Sequence, residues 1–331
     1  MNIGEIASHA QVAEESGFSH LTFVDAPRKA RDVYSMMTVA ALSTRRIMLG
    51  QGVTNPYTFH PSVTANATAT IDELSNGRAF VGIGTGFVAV RPKGPNIHLM
   101  RDLRESVQFI RKYMSGEVVC WHGVAMQSEW IRRAVPIYVS SHGPISLQLA
   151  GEVSDGVIFP CGPTEVIKWQ VEQVKKGALI VGKDPSKISF WVRTLVLATE
   201  SSTEARQEVA TYAASGARDR YALFKKETPE ILDLLNRLEK TEPGLIEEMR
   251  QMYLVFDECK RMGVKRPPPE SVTQRIVECF HLVGTPEKIC QRIRELGNLG
   301  VNNISVVLGA VADKKDMMRK IGNLLIPIFC N

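Results

Sequence analysis

The chain repeats one local pattern, in which a short apolar run ends in small turn residues and a helix follows. The run 46–51 stops at Gly52 and leads to Pro61, which suits the first turn of a helix. The run 79–83 stops in the same way at the loop 84–86. Strand, loop and helix in this order indicate βα units of a parallel α/β fold. Ligands bind at the carboxyl ends of such strands, so both loops are candidate binding elements.

The same alternation continues along the chain, and the number of repeats favours a TIM-type (β/α)8 barrel formed by residues 1–331 as a single domain. Seven strands are visible, one fewer than such a barrel needs. They are predicted at His20–Phe23, Ile47–Gln51, Ala79–Ile83, Ile137–Ser140, Gly156–Phe159, Ile188–Ala198 and Asn303–Leu308.

Two excursions interrupt the barrel. Residues 117–130 have a hairpin-like pattern within an excursion near 117–135. A polar helical region at Thr203–Met262 belongs to a second excursion near 203–270, a helical insertion before the last strand. Excursions of this kind are candidate substrate-specificity elements, and a solvated helical segment without such a role is the alternative.

The composition excludes several functional classes. The net charge of +5 is compatible with an anionic cofactor or substrate but too weak for a nucleic-acid-binding protein. Six cysteines are scattered without the spacing of a zinc site or a disulfide framework, so we predict no metal. No apolar run approaches a membrane span, and the N-terminal residues show no export signal. We therefore expect a cytoplasmic protein that acts on a small-molecule substrate.

Seven short runs occur in an order that is specific for one superfamily. They are Arg31–Ser35, Gly52–Thr58, Leu74–Arg78, Gly82–Gly86, Tyr138–Pro144, Leu149–Ile158 and Gly284–Glu287. Together they resemble the bacterial luciferase-like superfamily. Within it, the chain most resembles the methylenetetrahydromethanopterin reductase-like branch, which uses a deazaflavin, coenzyme F420.

This resemblance implies an oxidoreductase that transfers a hydride between reduced deazaflavin and a small organic substrate. The alternatives are an FMN-dependent luciferase-like monooxygenase and a non-catalytic flavin-binding homologue. In the family a strand precedes the helix that begins here near Ile6, and residues 1–5 are too few to supply it. We therefore expect an open barrel with seven strands of its own, whose edge another segment or a partner chain covers, and we predict a homodimer.

The resemblance places the cofactor ring at the end of the second strand. Relatives that use a deazaflavin carry a non-prolyl cis peptide at the position of Gly52 and Val53, where it forms a bulge beneath the ring. Asn55 and Thr85 are expected to address the ring as well. A plain strand end, in which glycine eases a tight exit, is the alternative interpretation.

Asp25, just beyond the strand His20–Phe23, is the predicted catalytic residue. A carboxylate at this rim can hydrogen-bond a ring hydroxyl or polarise the reacting centre, and a turn cap is the alternative. Relatives often carry histidine where Ala26 stands and an acid where Phe87 stands. Both positions are apolar here, which argues against a sugar-phosphate-type mechanism and leaves the proton donor unnamed.

A third loop, formed by Ser141, His142, Gly143 and Pro144, ends a strand and opens a helix. Free N–H groups at a helix N-terminus, together with small residues, suit an anion. We therefore predict that these four residues bind the phosphate of the cofactor. Ordinary helix capping by Ser141 is the alternative.

Overall fold

The computed structural model of the protein describes residues 2–86, 98–198, 203–264, 267–308 and 313–329. Over these residues the chain forms eleven strands: β1 (His20–Phe23), β2 (Met48–Gln51), β3 (Ala79–Ile83), β4 (Val119–Trp121), β5 (Val124–Met126), β6 (Ile137–Ser140), β7 (Gly156–Pro160), β8 (Ser189–Thr194), β9 (Val196–Ala198), β10 (Leu282–Gly284) and β11 (Asn303–Val306). It also forms twelve α-helices: α1 (Ile6–Glu15), α2 (Val33–Ser43), α3 (Pro61–Leu74), α4 (Leu99–Met114), α5 (Pro144–Val153), α6 (Thr164–Ile180), α7 (Thr203–Phe224), α8 (Pro229–Thr241), α9 (Leu245–Arg261), α10 (Gln274–Phe280), α11 (Pro286–Asn298) and α12 (Lys314–Phe329). None of the helices in these ranges combines the length and the apolar content that a membrane crossing needs.

Seven of the strands form one sheet in the order β1-β2-β3-β6-β7-β8-β11. All neighbouring strands in this sheet run parallel. Outside it, β9 pairs in parallel with β10, and β4 pairs with β5 as an antiparallel hairpin. The hairpin predicted within residues 117–130 is therefore confirmed.

The sheet curls into an open barrel. His20 on β1 contacts Trp191 on β8 with ring centroids 4.7 Å apart, although four strands of the sheet lie between them. Among the described strands β1 and β11 have no pairing with each other, and we call the gap between them the seam. Residues Ile3–Glu5 form a 3₁₀ turn rather than a strand. The predicted barrel with seven strands of its own is confirmed.

The helices surround the sheet. Two of them, α1 and α12, pack against each other at the seam. A Cβ atom on Gly322 of α12 would lie 2.4 Å from the carbonyl oxygen of Ser16, just after α1, so these two helices pack closely. Outward-facing strand residues such as Leu49, Val139 and Val192 are fully buried under this helical layer. Burial of these apolar side chains supplies most of the drive to fold.

Two segments differ from the sequence prediction. The strand predicted at 188–198 breaks at Leu195 into β8 and β9. The sequence does not predict β10, because a strand of three residues is too short for its periodicity to show. The polar region 203–262 consists of α7, α8 and α9, and it enters before the last strand as predicted.

Candidate active site

The inner face of the barrel carries four large rings, which we call the aromatic layer: His20, Phe80, Tyr138 and Trp191. Centroids of neighbouring rings are 4.7 to 5.4 Å apart. Burial lowers the pKa of His20 to about 4, so its imidazole is neutral near neutral pH. The aromatic layer fills the interior below the C-terminal ends of the strands.

The positions above the aromatic layer carry much less volume. Side chains alternate along a strand, so the next inward positions lie two residues further on. These positions hold Thr22, Gly82, Ser140 and Arg193. Three of the four have a small side chain or none, and they leave a space that we call the mouth. Ligands of such barrels bind at this end.

The backbone after β2 enters the mouth. The Gly52–Val53 peptide bond is cis, as predicted. The N–H of Gly52 donates to the carbonyl of Phe23 at 2.7 Å, and a Cβ atom on Gly52 would lie 2.5 Å from Cβ of Thr22. This close approach leaves no room for a side chain and explains the glycine. Contact between this bulge and a cofactor ring stays a prediction.

Gly84 connects the bulge with the loop after β6. A Cβ atom on Gly84 would lie 3.2 Å from Cγ2 of Val53 and 3.5 Å from Cβ of Ser140. Three loops thus form one continuous surface, in which Thr85 is half-buried. We call this surface the cradle, and it consists of Gly52–Val53, Gly84–Gly86 and Ser140–Gly143.

Asp25 and Asn55 hold the loop that follows the bulge. The carboxylate of Asp25, which is 4% exposed, accepts hydrogen bonds from the hydroxyls of Thr54 at 2.6 Å and Thr58 at 3.1 Å. The side-chain oxygen of Asn55 accepts from the backbone N–H groups of Tyr57 and Thr58 at 2.9 and 3.0 Å. These contacts position the loop. A direct role of Asp25 in catalysis and of Asn55 in cofactor binding stays a prediction.

The predicted anion loop leads into the N-terminus of α5 as expected, and Ser141 does not cap this helix. Gly143 is the N-cap of α5 and Pro144 is its first residue. The hydroxyl of Ser141 donates to the carbonyl of Ser146 at 3.0 Å, whereas the hydroxyl of Ser146 accepts from the N–H of Gly143 at 3.3 Å. Ser141 therefore does not cap the helix, and Ser146 bonds only the backbone of the N-cap residue Gly143. The other N–H groups of the first turn have no partner within the helix.

Arg220 of α7 brings a positive charge to this loop. Its side chain is 3% exposed, and its one hydrogen bond to the described residues goes to the carbonyl of His142 at 3.5 Å. Burial lowers the pKa of Arg220 to about 10, so the guanidinium stays charged at neutral pH. The nearby carboxylate of Asp219 offsets part of this charge but also pairs with Arg218, so an anion bound at the loop would stabilise the buried guanidinium further.

Sequence reasoning missed Arg220, although a signal exists. Ala213, Ala217 and Arg220 recur at helical spacing and are all buried, so the arginine lies on the apolar stripe of α7. A charged residue on such a stripe is a reason to look for a ligand. His142 carries no comparable charge, because burial and the neighbouring Arg220 lower the pKa of its imidazole.

The remaining predicted positions add no titrating group. Ala26 is buried at 8% exposure next to Asp25 in the chain. Phe87 lies outside the described residues. Within the described ranges, His, Cys, Asp and Glu form no group of three or more that could hold a metal ion.

A second cavity of about 530 Å³ lies outside the barrel, between α6, α10 and α11. Its charged side chains pair with each other or with nearby groups. Lys288 contacts Glu278 at 2.7 Å, and Arg292 contacts Glu295 at 3.1 Å. Because these charges are already compensated, the mouth is the better candidate for a ligand site.

The chain matches the model of the luciferase-like monooxygenase family over residues 1–303. It belongs to this family. It is 31% identical over 338 residues to the 5,10-methylenetetrahydromethanopterin reductase of Archaeoglobus fulgidus, an alignment that covers 99% of this chain and 96% of the relative. It is 30% identical over 233 residues to the F420-dependent hydroxymycolic acid dehydrogenase of Mycobacterium tuberculosis, covering 65% of this chain and 64% of the relative.

A solved structure supports the fold. The coenzyme F420-dependent tetrahydromethanopterin reductase of Methanopyrus kandleri superposes with a TM-score of 0.78 at 24% identity, covering 99% of this chain and 96% of that chain. The predicted fold and the resemblance to the luciferase-like family are therefore confirmed. The relatives are oxidoreductases, which also confirms the predicted class of enzyme.

Proposed function

We propose that the protein is an oxidoreductase that binds a deazaflavin, coenzyme F420, in the cradle and transfers a hydride between it and a small organic substrate. When bound, the deazaflavin supplies the hydride donor or acceptor. One observation carries the proposal: the Gly52–Val53 bulge and the buried Arg220 lie at the two ends of one surface. The F420-dependent activity of a relative supports the same cofactor.

The residues of the cradle fit this cofactor at two places. Arg220 and the N-terminus of α5 lie together, which suits the negative charge of a phosphate. Gly84 keeps the surface open between this anion site and the bulge, where a larger side chain would fill it. A flat ring and a phosphate joined by a short chain therefore find complementary positions on one surface.

The contribution of the protein to the reaction is mainly positioning. Asp25 orders the loop behind the bulge through Thr54 and Thr58, and so holds the support of the ring. The aromatic layer closes the interior below the mouth and keeps water out from that side. Holding the two reacting carbons in a near-attack geometry accounts for much of the rate of such a transfer.

Fluorescence titration of the purified protein with coenzyme F420 and with FMN tests the proposal. We expect saturable binding of the deazaflavin, weakened by Arg220→Gln. The matched control is Arg250→Gln on α9, where Arg250 pairs with Glu247 at 2.9 Å, and it should bind as the wild type does. Binding of FMN alone would contradict the proposal in favour of an FMN-dependent monooxygenase. Binding of neither compound would leave a non-catalytic homologue.

The homodimer also stays a proposal. It is supported by the seam, since unpaired edge strands in native proteins are covered or otherwise protected. Size-exclusion chromatography with light scattering tests it, and a monomer at all concentrations would contradict it. The cytoplasmic location and the organisation as a single domain stay predictions from the sequence.

A further inference from the structure

We infer that Arg193 binds an anionic group of the substrate, so that the substrate is a small carboxylate or phosphate ester held in the mouth above the cradle. This inference rests on the proposed function, because it assigns the part of the mouth that a cofactor in the cradle leaves open. It concerns the class of substrate and leaves the direction of the redox step open.

The position of Arg193 follows from the curl of the sheet. Arg193 is the next inward residue of β8 above Trp191. The ring of Trp191 contacts that of His20 across the interior, with 4.7 Å between centroids, so Arg193 is placed opposite Thr22 one layer higher. Thr22 in turn lies against Gly52. The guanidinium therefore enters the mouth from the side opposite the bulge.

Arg193 combines access to solvent with close protein surroundings. Its side chain is exposed to solvent. Even so, the surrounding protein desolvates it enough to lower its pKa, and the neighbour that acts in the opposite direction is Tyr212 of α7. Among the described residues the side chain has no carboxylate in salt-bridge range. Its charge is thus available to a ligand.

Two hydroxyl groups accompany this charge. Ser305 on β11 is in register with Arg193, and neighbouring residues in register project from the same face of a parallel sheet. Tyr212 lies near enough to interact electrostatically with the guanidinium. Together they offer hydrogen-bond donors around a guanidinium fork, the arrangement that recognises carboxylate and phosphate oxygens.

The two arginines of the mouth bind different anionic groups in this proposal, one on the cofactor and one on the substrate. Arg220 lies against the loop 140–143 and matches the phosphate of the cofactor. Arg193 lies on β8, which β7 separates from β6, so it is a second positive charge in the mouth and can bind a second anion. An anionic substrate would pair with this charge and a neutral one would not, so the site favours the anion.

The test uses protein loaded with coenzyme F420, so that the phosphate site of the cradle is filled, and inorganic phosphate as the probe. A titration followed by phosphorus NMR should show saturable binding to the wild-type protein. We expect Arg193→Gln to lose about tenfold or more in phosphate affinity and Arg193→Lys to recover part of it, since lysine keeps the charge without the fork. Arg250→Gln, the matched control, should bind phosphate as the wild type does.

The affinity for coenzyme F420, measured by fluorescence on the same variants, separates the two proposals. We expect it to be unchanged in Arg193→Gln. Equal phosphate affinity in the wild type and Arg193→Gln, or no saturable phosphate binding to the loaded wild type, would overturn the inference and leave the cofactor assignment standing. Loss of F420 binding in Arg193→Gln would also overturn it, because Arg193 would then serve the cofactor. Failure of the wild type to bind F420 would instead overturn the proposed function.

Discussion

The aromatic layer and the mouth are formed by the same strands, but the first is tightly packed and the second is open. In the aromatic layer, four rings pack within 4.7 to 5.4 Å of their neighbours and bury large apolar surfaces. Two residues further along, the strands carry Thr22, Gly82, Ser140 and Arg193. This upper layer gives up the stability of a packed core and leaves backbone and charge accessible. One end of each strand is thus packed for stability, and the other is left open to a ligand.

Removal of a ring from the aromatic layer should have the largest effect on the free energy of unfolding. Trp191→Ala deletes a side chain that is 8% exposed, and such a truncation costs about 3–5 kcal/mol. Thr22→Ala, one layer higher and exposed, should change it by less than about 0.5 kcal/mol. Urea denaturation of both variants measures the contrast. Equal losses would show that the two layers do not differ in this way.

Loss of the buried charge should act on binding and not on stability. Arg220→Gln removes the charge that we propose pairs with the cofactor phosphate, and we expect cofactor affinity to fall by about 1.5–3 kcal/mol. The free energy of unfolding of the ligand-free protein should stay the same or rise, because a buried guanidinium with one weak hydrogen bond is unfavourable. Fluorescence titration and urea denaturation test both statements on one variant. Lower stability with unchanged affinity would assign Arg220 to the core instead.

Two glycine-to-alanine variants, each adding one methyl group, should affect different properties of the protein: one variant should weaken cofactor binding and the other should destabilise the fold. The Cβ atom of Gly84→Ala would lie 3.2 Å from Cγ2 of Val53, a contact that a small shift relieves, and it would narrow the cradle. We expect a loss of about tenfold in cofactor affinity, or 1.4 kcal/mol, with the fold retained. The Cβ atom of Gly50→Ala would lie 2.3 Å from the ring of Phe80 and should destabilise the fold. Thermal unfolding and cofactor titration of both variants test the contrast. Lower stability in Gly84→Ala together with lower cofactor affinity in Gly50→Ala would contradict it.

Protonation of His20 in the aromatic layer should have the smallest effect on the free energy of unfolding near neutral pH. The folded pKa of His20 is about 4, below its usual value of 6.5, so between these values the unfolded chain binds a proton that the folded chain excludes. Stability should therefore be complete above pH 6.5 and fall as the pH drops towards 4. His20→Phe should flatten this decline in urea denaturation. His281, whose pKa burial lowers to about 3, would continue to contribute. Identical pH profiles in the two proteins would rule out this role of His20.

Part of the family pattern in the sequence reflects architecture rather than chemistry. The guanidinium of Arg78, in the run Leu74–Arg78, donates to the backbone carbonyls of Ala41, Thr44 and Ile47 at 2.7 to 3.1 Å. It thereby satisfies the end of α2 and ties it to β2. A motif that is useful for recognising the family therefore need not point to the active site.

The sequence by itself determined the order of the βα units, the hairpin and the helical insertion, because apolar periodicity and turn residues are local signals. It also placed Asp25, Gly52, Thr85 and Ser141 after strands whose carboxyl ends meet at one edge of the sheet. The break at Leu195 and the pairing of β10 could not be predicted from the sequence, since both depend on partners distant in the chain.

Only the tertiary structure decided which charges face the ligand site. Arg220 reaches the loop after β6 because α7 packs over it, 78 residues away along the chain. Arg193 stands opposite the bulge because the sheet curls until β8 approaches β1. The local sequence does not show which loop or strand either arginine faces, since each contact arises from the way separate elements pack around a common core. The strands and loops could thus be predicted from the sequence, whereas the electrostatics of the mouth required the folded chain.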